Sequence, residues 1–287
     1  MELEYKNKNG DKISIGSYEP YILKNTTGIA EVENVFQTHT VPGYDGEVVI
    51  SSRLGPRRIS IEGECTSDSV SFRDKFIKIF NPKVEGVLTV TLNNIQRFIK
   101  VEPEGVPYMP HVMRPPFPFA VDLFAADPFF RDSESEIGWV SEWIGKFEFP
   151  LCIEIENELQ GIELGYRKPN LIVNITNKGM VESGVKIVFK AESTVINPAL
   201  YNVKTSEFIK LKSAMLPGDV IEINTNLKYK KIERIRNKKR SNIFSELDLE
   251  STFFTLKVGD NLFRATADEG ELYLDCYIVW DSKFLGV

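Results

Sequence analysis

Polar and apolar residues alternate along much of this chain. Arg58-Ile59-Ser60-Ile61-Glu62-Gly63 does so, and Val87-Leu88-Thr89-Val90-Thr91-Leu92 does so again. A period of two sends successive side chains to opposite faces, so each run predicts a strand with one buried face. Pro, Gly, Asn and Asp recur at short intervals, as in Val41-Pro42-Gly43-Tyr44-Asp45-Gly46, and supply turn chemistry. Short strands between frequent turns predict sandwiches or barrels rather than βαβ units.

Three segments of the first half depart from this rhythm. Ser67-Asp68 is suited to cap a helix in which Val70, Phe76, Ile77 and Phe80 share a face until Asn81-Pro82 ends it. A second helix is predicted over residues 133–147. Ile137, Val140, Ile144 and Phe147 there recur at three or four, with Glu134 and Glu136 early and Lys146 late, against the weakening effect of Gly138 and Gly145. Between them, residues 103–118 hold six prolines, including Pro115-Pro116. Proline removes ladder donors, so this stretch reads as an extended arm, with Tyr108, Met109, Phe117 and Phe119 placed to reach a neighbour. A strand follows from Phe117 and ends at Asp127-Pro128-Phe129-Phe130.

The second half restarts the strand pattern over residues 171–175, 185–191, 208–211, 220–224, 253–258 and 271–280. Asn177-Lys178-Gly179, Asn197-Pro198, Pro217-Gly218-Asp219 and Gly259-Asp260-Asn261 mark the turns. These strands suggest a jelly-roll or galectin-like sandwich. The expected division is residues 1–145 and 146–287.

Composition narrows the class. The chain has 287 residues, 26% charged and 42% hydrophobic, with a net charge of −6, a globular mix that disfavours general nucleic-acid binding. Cys65, Cys152 and Cys276 are dispersed and form no CxxC pair, so they read as reduced, buried small hydrophobes. The start of the sequence has no signal-peptide pattern, and no run approaches a membrane span, so the sequons at Asn25 and Asn174 read as chance matches.

Candidate chemistry is sparse. His39 and His111 are too few for a histidine metal cage, and no nucleophile elbow, HExxH, Walker or GxGxxG motif occurs. Neither a cofactor nor a catalytic residue is expected. The strongest charge feature is residues 228–240, with eight basic residues and one acid, +7 net, against −13 for the remainder (−6 minus +7). It reads first as a solvated hairpin, then as a contact for an acidic subunit, and last as a DNA patch. Glu154, Glu156 and Glu158 alternate along another stretch and read as a solvated strand face, with calcium binding the rarer use of such a row.

The order of motifs resembles the phage tail-component family that contains the distal tail proteins of siphophages. In the first half the resemblance rests on Pro42-Gly43-x-Asp45-Gly46, Arg57-Arg58-Ile59-Ser60-Ile61-Glu62-Gly63, Arg73-Asp74 with Ile77 before Asn81-Pro82, and Gly86-Val87-Leu88-Thr89-Val90. It closes on Phe119-x-x-Asp122-Leu123-x-Ala125-Ala126-Asp127-Pro128-Phe129-Phe130. In the second half it rests on Gly184-Val185-x-Ile187-x-Phe189-x-Ala191, Asn197-Pro198, Phe208-Ile209, Gly218-Asp219-x-Ile221-x-Ile223-Asn224-Thr225 and Leu256-x-x-Gly259-Asp260-Asn261. Met180 stands where relatives usually carry an acid, which bears on one turn.

The resemblance implies a mainly β chain. A tail-tube-like β-barrel or sandwich with one packed helix is followed by a galectin-like, carbohydrate-binding-module-like β-sandwich. It implies a non-enzymatic virion component of the tail tip or baseplate: a homohexamer ring with the tail tube protein above, the tail-tip hub (tail-associated protein) below and receptor-binding protein outside. DNA would pass through the channel unbound. Residues 1–140 carry 15 basic and 20 acidic residues, which suits such a channel. The structural or interface candidates are Arg57, Arg58, Pro115, Pro116, Phe117, Asp127, Pro128, Phe129 and Phe130. The adjacent phenylalanines cannot both enter one core from a regular strand. The alternative reading is a tail module that binds host cell-wall saccharides through Trp280, Tyr273 or Tyr201.

Overall fold

Residues 57–65 and 117–125 are the centre of the first unit. Along Arg57–Cys65 every second residue is buried, and the same holds along Phe117–Ala125. The two strands pair antiparallel without a slip, from Arg57↔Ala125 to Cys65↔Phe117, so both apolar sets face one side. Gly63 belongs to that inner set. A Cβ there would lie 2.5 Å from the Phe119 ring and 2.7 Å from the Ile22 carbonyl oxygen, so only glycine lets the layers close.

The computed structural model describes residues 1–43, 45–67, 72–110, 115–132, 134–141, 143–145, 165–167 and 171–287. Contacts divide the chain into one unit of Met1–Ser133 with Lys283–Val287, and a second of Glu134–Ser282. The sequence reading puts its division at 145, and it does not anticipate the return of the last five residues.

In the first unit the strand order is Lys12–Ile15, Glu2–Asn7, Gly86–Leu92, Ile95–Pro103, Phe117–Ala125, Arg57–Cys65, Tyr21–Thr27. The two ends of that order meet at the bridge Gly16↔Ile22, which closes the sheet toward a barrel. The helix Phe72–Ile79 packs with it, burying Phe72, Phe76 and Ile79, with Phe80 just beyond its end. Its rings form an aromatic seam: Phe76 lies 5.0 Å from Phe119, Phe72 5.2 Å from Phe117, and Phe80 4.5 Å from Tyr5. The expected helix therefore forms. Ile77 is only partly buried, and Val70 and the Asp68 cap lie outside the described residues.

The second unit is a sandwich. Its larger sheet runs Glu136–Trp139, Leu274–Trp280, Val185–Ala191, Val220–Asn224, Lys231–Arg236, Lys239–Asn242. Its smaller sheet runs Val173–Asn177, Gly259–Thr266, Ala199–Asn202, Phe208–Lys210. Ile187, Ile223 and Ile278 of the first sheet share one buried cluster with Leu200, Ile209 and Phe263 of the second.

Two expected elements are corrected here. The described part of residues 133–147 forms no helix: Glu136–Trp139 is an edge strand in register with Leu274–Trp280, and Trp143–Gly145 pairs with Gly165–Arg167. Gly138 weakens a helix but suits this strand, because a Cβ there would meet Ile175 at 2.7 Å. Residues 253–258 make only the bridge Ser183↔Leu256, and the strand is Gly259–Thr266 instead. Cys65 and Cys276 are buried and free, as expected, and burial pushes both thiols up from their ordinary pKa. Cys152 and the Glu154, Glu156, Glu158 row lie outside the described residues. Among the described residues no helix is long and apolar enough to cross a membrane.

Candidate functional site

Arg57 is the polar centre of the first unit, and its side chain is enclosed, 1% exposed. Its Nε donates to the Pro128 carbonyl at 2.8 Å. Its Nη1 donates to the carbonyls of Gly28 and Ile29, both at 2.8 Å, and of Glu31 at 3.2 Å. Its Nη2 donates to the Leu285 carbonyl at 2.5 Å, and the guanidinium carbon sits 5.0 Å from the Phe130 ring centre. Burial lowers the guanidinium pKa and the Glu31 carboxylate pushes it back up. Such a clasp joins a strand, the turn around Gly28, the Pro128 corner and the tail. Gly28 (φ +81°) fits because any Cβ would strike the Arg58 carbonyl.

The candidates around it separate. Phe130 is wholly buried in the core, whereas Phe129 is half-buried with the Lys283 ammonium 5.2 Å from its ring centre. Asp127 accepts from Arg131 at 2.5 Å, and Pro128 is buried. Phe130 pairs with Phe284, which lies under the Arg97 guanidinium at 3.5 Å, and Arg97 also donates to the Gly286 carbonyl at 2.5 Å. Arg58 is exposed and forms a 2.9 Å ion pair with Glu104.

The proline-rich stretch is not an outstretched arm over its described residues. Tyr108 exchanges two backbone hydrogen bonds with Ala120, at 2.8 and 3.1 Å, and Met109, Phe117 and Phe119 are buried in their own unit. The apolar residues outcompete reach. Pro115 and Pro116 are exposed, Phe117 is core, and His111 lies outside the described residues.

A different element projects outward. Among the described residues Asn34–Thr40 and Glu47–Leu54 pair only with each other, with a register shift between Gln37 and Thr38. Along them Phe36, Val48, Val49 and Ile50 are 55–62% exposed, and His39 is exposed. A two-stranded ribbon with no third strand or covering layer is marginal in water. Sequence reading catches its turn at residues 41–46 but misses the ribbon, since neither strand has a buried face to betray it.

The basic stretch 228–240 is the outer hairpin of the larger sandwich sheet, which agrees with the first of its three readings. Arg236 forks onto Asp219 at 2.8 and 2.5 Å, and Arg240 bridges Glu222 and Glu233, each at 3.1 Å. Lys231 pairs with Glu233 at 2.7 Å, and Arg234 pairs with Glu246. Burial works to raise Asp219, but the Arg236 fork and the Leu216 N–H hold it below the ordinary carboxylate range. Lys228, Lys230, Lys238 and Lys239 make no ion pair among the described residues, and Lys230 lies 5.0 Å from the Phe253 ring centre. Half of the positive run is thus internally matched.

Of the aromatics offered for saccharide binding, Trp280 is buried at 6% exposure. Tyr201 stacks on Phe208 at 5.2 Å beneath Arg264, and Tyr273 is exposed but isolated from other rings among the described contacts. No cluster of three metal-ligating side chains occurs among the described residues.

Comparison with known proteins matches both units. Residues 8–112 match the family described as phage tail protein RIFT-related domain. Residues 178–282 match the siphovirus-type tail component, C-terminal domain. No curated protein matches the chain. Among solved structures it is similar to the Dit protein (gp 19.1) of phage SPP1, described as a paradigm of hub adsorption apparatus in phages infecting Gram-positive bacteria. That likeness has a TM-score of 0.67 at 13% identity and covers 99% of each chain. A chain of the phage P2 baseplate in its activated conformation with Ca gives 0.48 at 10% identity, over 100% of this chain and 99% of that one.

Proposed function

Because the chain belongs to the siphovirus-type tail component family, we propose that it serves as a structural adaptor of the tail tip. Six copies form a ring that joins the tail tube to the tail-tip hub, passes DNA without binding it, and anchors receptor-binding protein outside. The barrel makes the ring and the sandwich is displayed around it. The component is a non-enzymatic part of the virion.

One observation carries the ring: the unpartnered ribbon of Asn34–Thr40 and Glu47–Leu54, with its exposed Phe36 and Ile50. A hydrophobic two-stranded element that its own subunit does not cover gains a layer when laid on a neighbour. Repeating that contact around an axis closes a ring of heterologous interfaces. The acidic balance of residues 1–140, with 15 basic against 20 acidic, suits a passage that repels DNA.

Light scattering after gel filtration, with negative-stain imaging, tests this. We expect rings and a mass six times 32.7 kDa at raised concentration. Phe36→Ser with Ile50→Ser should give folded monomers. A chain that stays monomeric at tens of micromolar and is absent from rings in assembled tails would overturn the proposal.

A further inference from the structure

We propose that the outer face of the larger sandwich sheet carries a saccharide-binding site centred on Trp139 and Tyr277. The inference is independent of ring formation.

Strand register builds the site. Along Leu274–Trp280 the residues Leu274, Cys276, Ile278 and Trp280 point into the core, so Asp275, Tyr277 and Val279 point outward. Trp139 is paired with Tyr277, and Tyr277 in turn with Val188. The two rings lie 4.8 Å apart at 43°, and Trp139 remains 53% exposed. Its direction is set by the strand: Gly138 beside it faces inward against Ile175, too close for any side chain. An indole held rigidly in solvent is a preformed stacking surface.

Polar groups surround the rings. The Lys190 ammonium is 5.1 Å from the Tyr277 ring centre and makes no ion pair among the described residues. Ser141 donates to Asp275 at 3.2 Å. Farther along the face, Lys186 pairs with Glu222 at 2.9 Å, and Arg240 ties Glu222 to Glu233. Ser141, Lys186, Glu222 and Arg240 are thereby held in place along the face.

That layout favours a sugar over a protein. A stable protein interface needs roughly 800 Å² per partner, with a core depleted of charge. Here the apolar part is a strip of Ile137, Trp139, Tyr277 and Val279 at one edge, and the rest is ion-paired charge. A pyranose ring divides the same way. Its C–H face stacks on the indole, while its hydroxyls reach Lys190, Asp275 and Ser141.

Affinity electrophoresis of the full chain through gels containing galactomannan, xylan, laminarin or soluble starch tests the site. Isothermal titration calorimetry with the matching hexasaccharide gives the affinity of the parent and of each variant. We expect at least one polysaccharide to retard the chain. Trp139→Ala should weaken hexasaccharide binding about tenfold or more, and Lys190→Ala less, with unchanged thermal melting. Tyr18→Ala, on an exposed tyrosine of the first unit, should bind as the parent does. Retardation by none of the four polysaccharides, or retardation unaltered by Trp139→Ala, overturns the proposal. So does a Trp139→Ala variant that loses ring assembly instead of sugar binding, since the face is then a protein interface.

Discussion

Arginine plays opposite parts in the two units. In the barrel Arg57 is the one fully enclosed guanidinium among the described residues, and it donates to five backbone carbonyls, from residues 28, 29, 31, 128 and 285. In the sandwich, Arg234, Arg236 and Arg240 sit at the sheet margin and meet carboxylates. Enclosing a cation costs several kcal/mol unless its hydrogen bonds are satisfied, and carbonyls at a corner and a chain terminus have few other donors. Arg57 and those carbonyls therefore need each other. Arg236 and Arg240 keep 39% and 55% of their side chains exposed, so they stay solvated when a partner is lost, and only Arg234, 15% exposed, is held nearly as closely as Arg57. Density of charge in the sequence marks the second group, while what holds the molecule together is the first.

Removing Arg57 is the sharpest way to break this comparison. Arg57→Leu leaves the five carbonyls without their donor, and at roughly 1–3 kcal/mol for each buried unsatisfied group the expected loss is about 5 kcal/mol or more. Urea unfolding should show the barrel's transition missing or far earlier. Arg57→Lys should recover only part, because an ammonium cannot spread over the same fork. If Arg57→Leu melts as the parent does, the clasp is incidental.

Phe130 and its neighbour come next. Phe130→Ala empties a fully buried ring site and should cost about 3–5 kcal/mol. Phe129→Ala, which removes a half-buried ring beside Lys283, should cost under about 1 kcal/mol. Equal effects in denaturant titrations would contradict the split packing. Deleting residues 283–287 removes Phe284 from beneath Arg97 and the Leu285 and Gly286 carbonyls from their arginines, about 3 kcal/mol. A chain of residues 1–145 alone should thus be less stable than one with that tail restored through a linker. Sequence reading expects residues 1–145 to suffice, and a loss of stability on removing the strap would show that they do not.

What the sequence discloses follows from how local the cause is. The Arg57–Cys65 strand is legible because its inner residues repeat at two, and the helix because Phe76 and Phe80 repeat at four. Glu136–Trp139 is misread because Ile137 and Val140 share a helical spacing by coincidence. Its strand pairing comes from residues 277–280, far along the chain. Trp139 is missed as a surface feature for the same reason, while Trp280 is offered for display although the alternation of its own strand sends it inward. The Arg57 clasp depends on Leu285, which no local pattern links to it. Arg57-Arg58 reads as a motif, but only the register with Phe117–Ala125 says which arginine turns inward.

A smaller effect probes the marginal arginines through pH. Asp219 has its pKa held down by the Arg236 fork and the Leu216 N–H against the effect of burial. A depressed carboxylate stabilises the fold above its unfolded value, about 3.9 for Asp, and that share fades as pH falls through the lower folded value. Asp219→Asn should cost about 1–3 kcal/mol at neutral pH, typical of hydrogen bonds to charged groups. The gap between variant and parent should narrow in acid. A gap that is flat from pH 7 to pH 3 would assign the effect to packing.

The smallest effect is expected where the positive charge is densest in the sequence. Lys228, Lys238 and Lys239 are exposed and make no ion pair among the described residues, so replacing all three with alanine changes the net charge from −6 to −9 and little else. Stability should stay within about 0.5 kcal/mol of the parent at each site. Of the other five basic residues of the 228–240 stretch, Lys230 lies 5.0 Å from the Phe253 ring centre, while Lys231, Arg234, Arg236 and Arg240 face carboxylates of their own domain and have little charge left for phosphates. Binding to duplex DNA should accordingly be weak in the parent at physiological salt and no weaker by much in the variant. A polyelectrolyte contact has a distinct signature: affinity falls steeply with salt, with a slope near one per phosphate neutralised. Measuring DNA retention from 50 to 200 mM salt therefore separates the two cases. If the parent binds with a slope of about three and the triple variant loses it, the hairpin is a nucleic-acid patch. The marginal cations would then be the functional ones, and the contrast with Arg57 would be between two kinds of work rather than between one side chain that holds the fold and several that it tolerates.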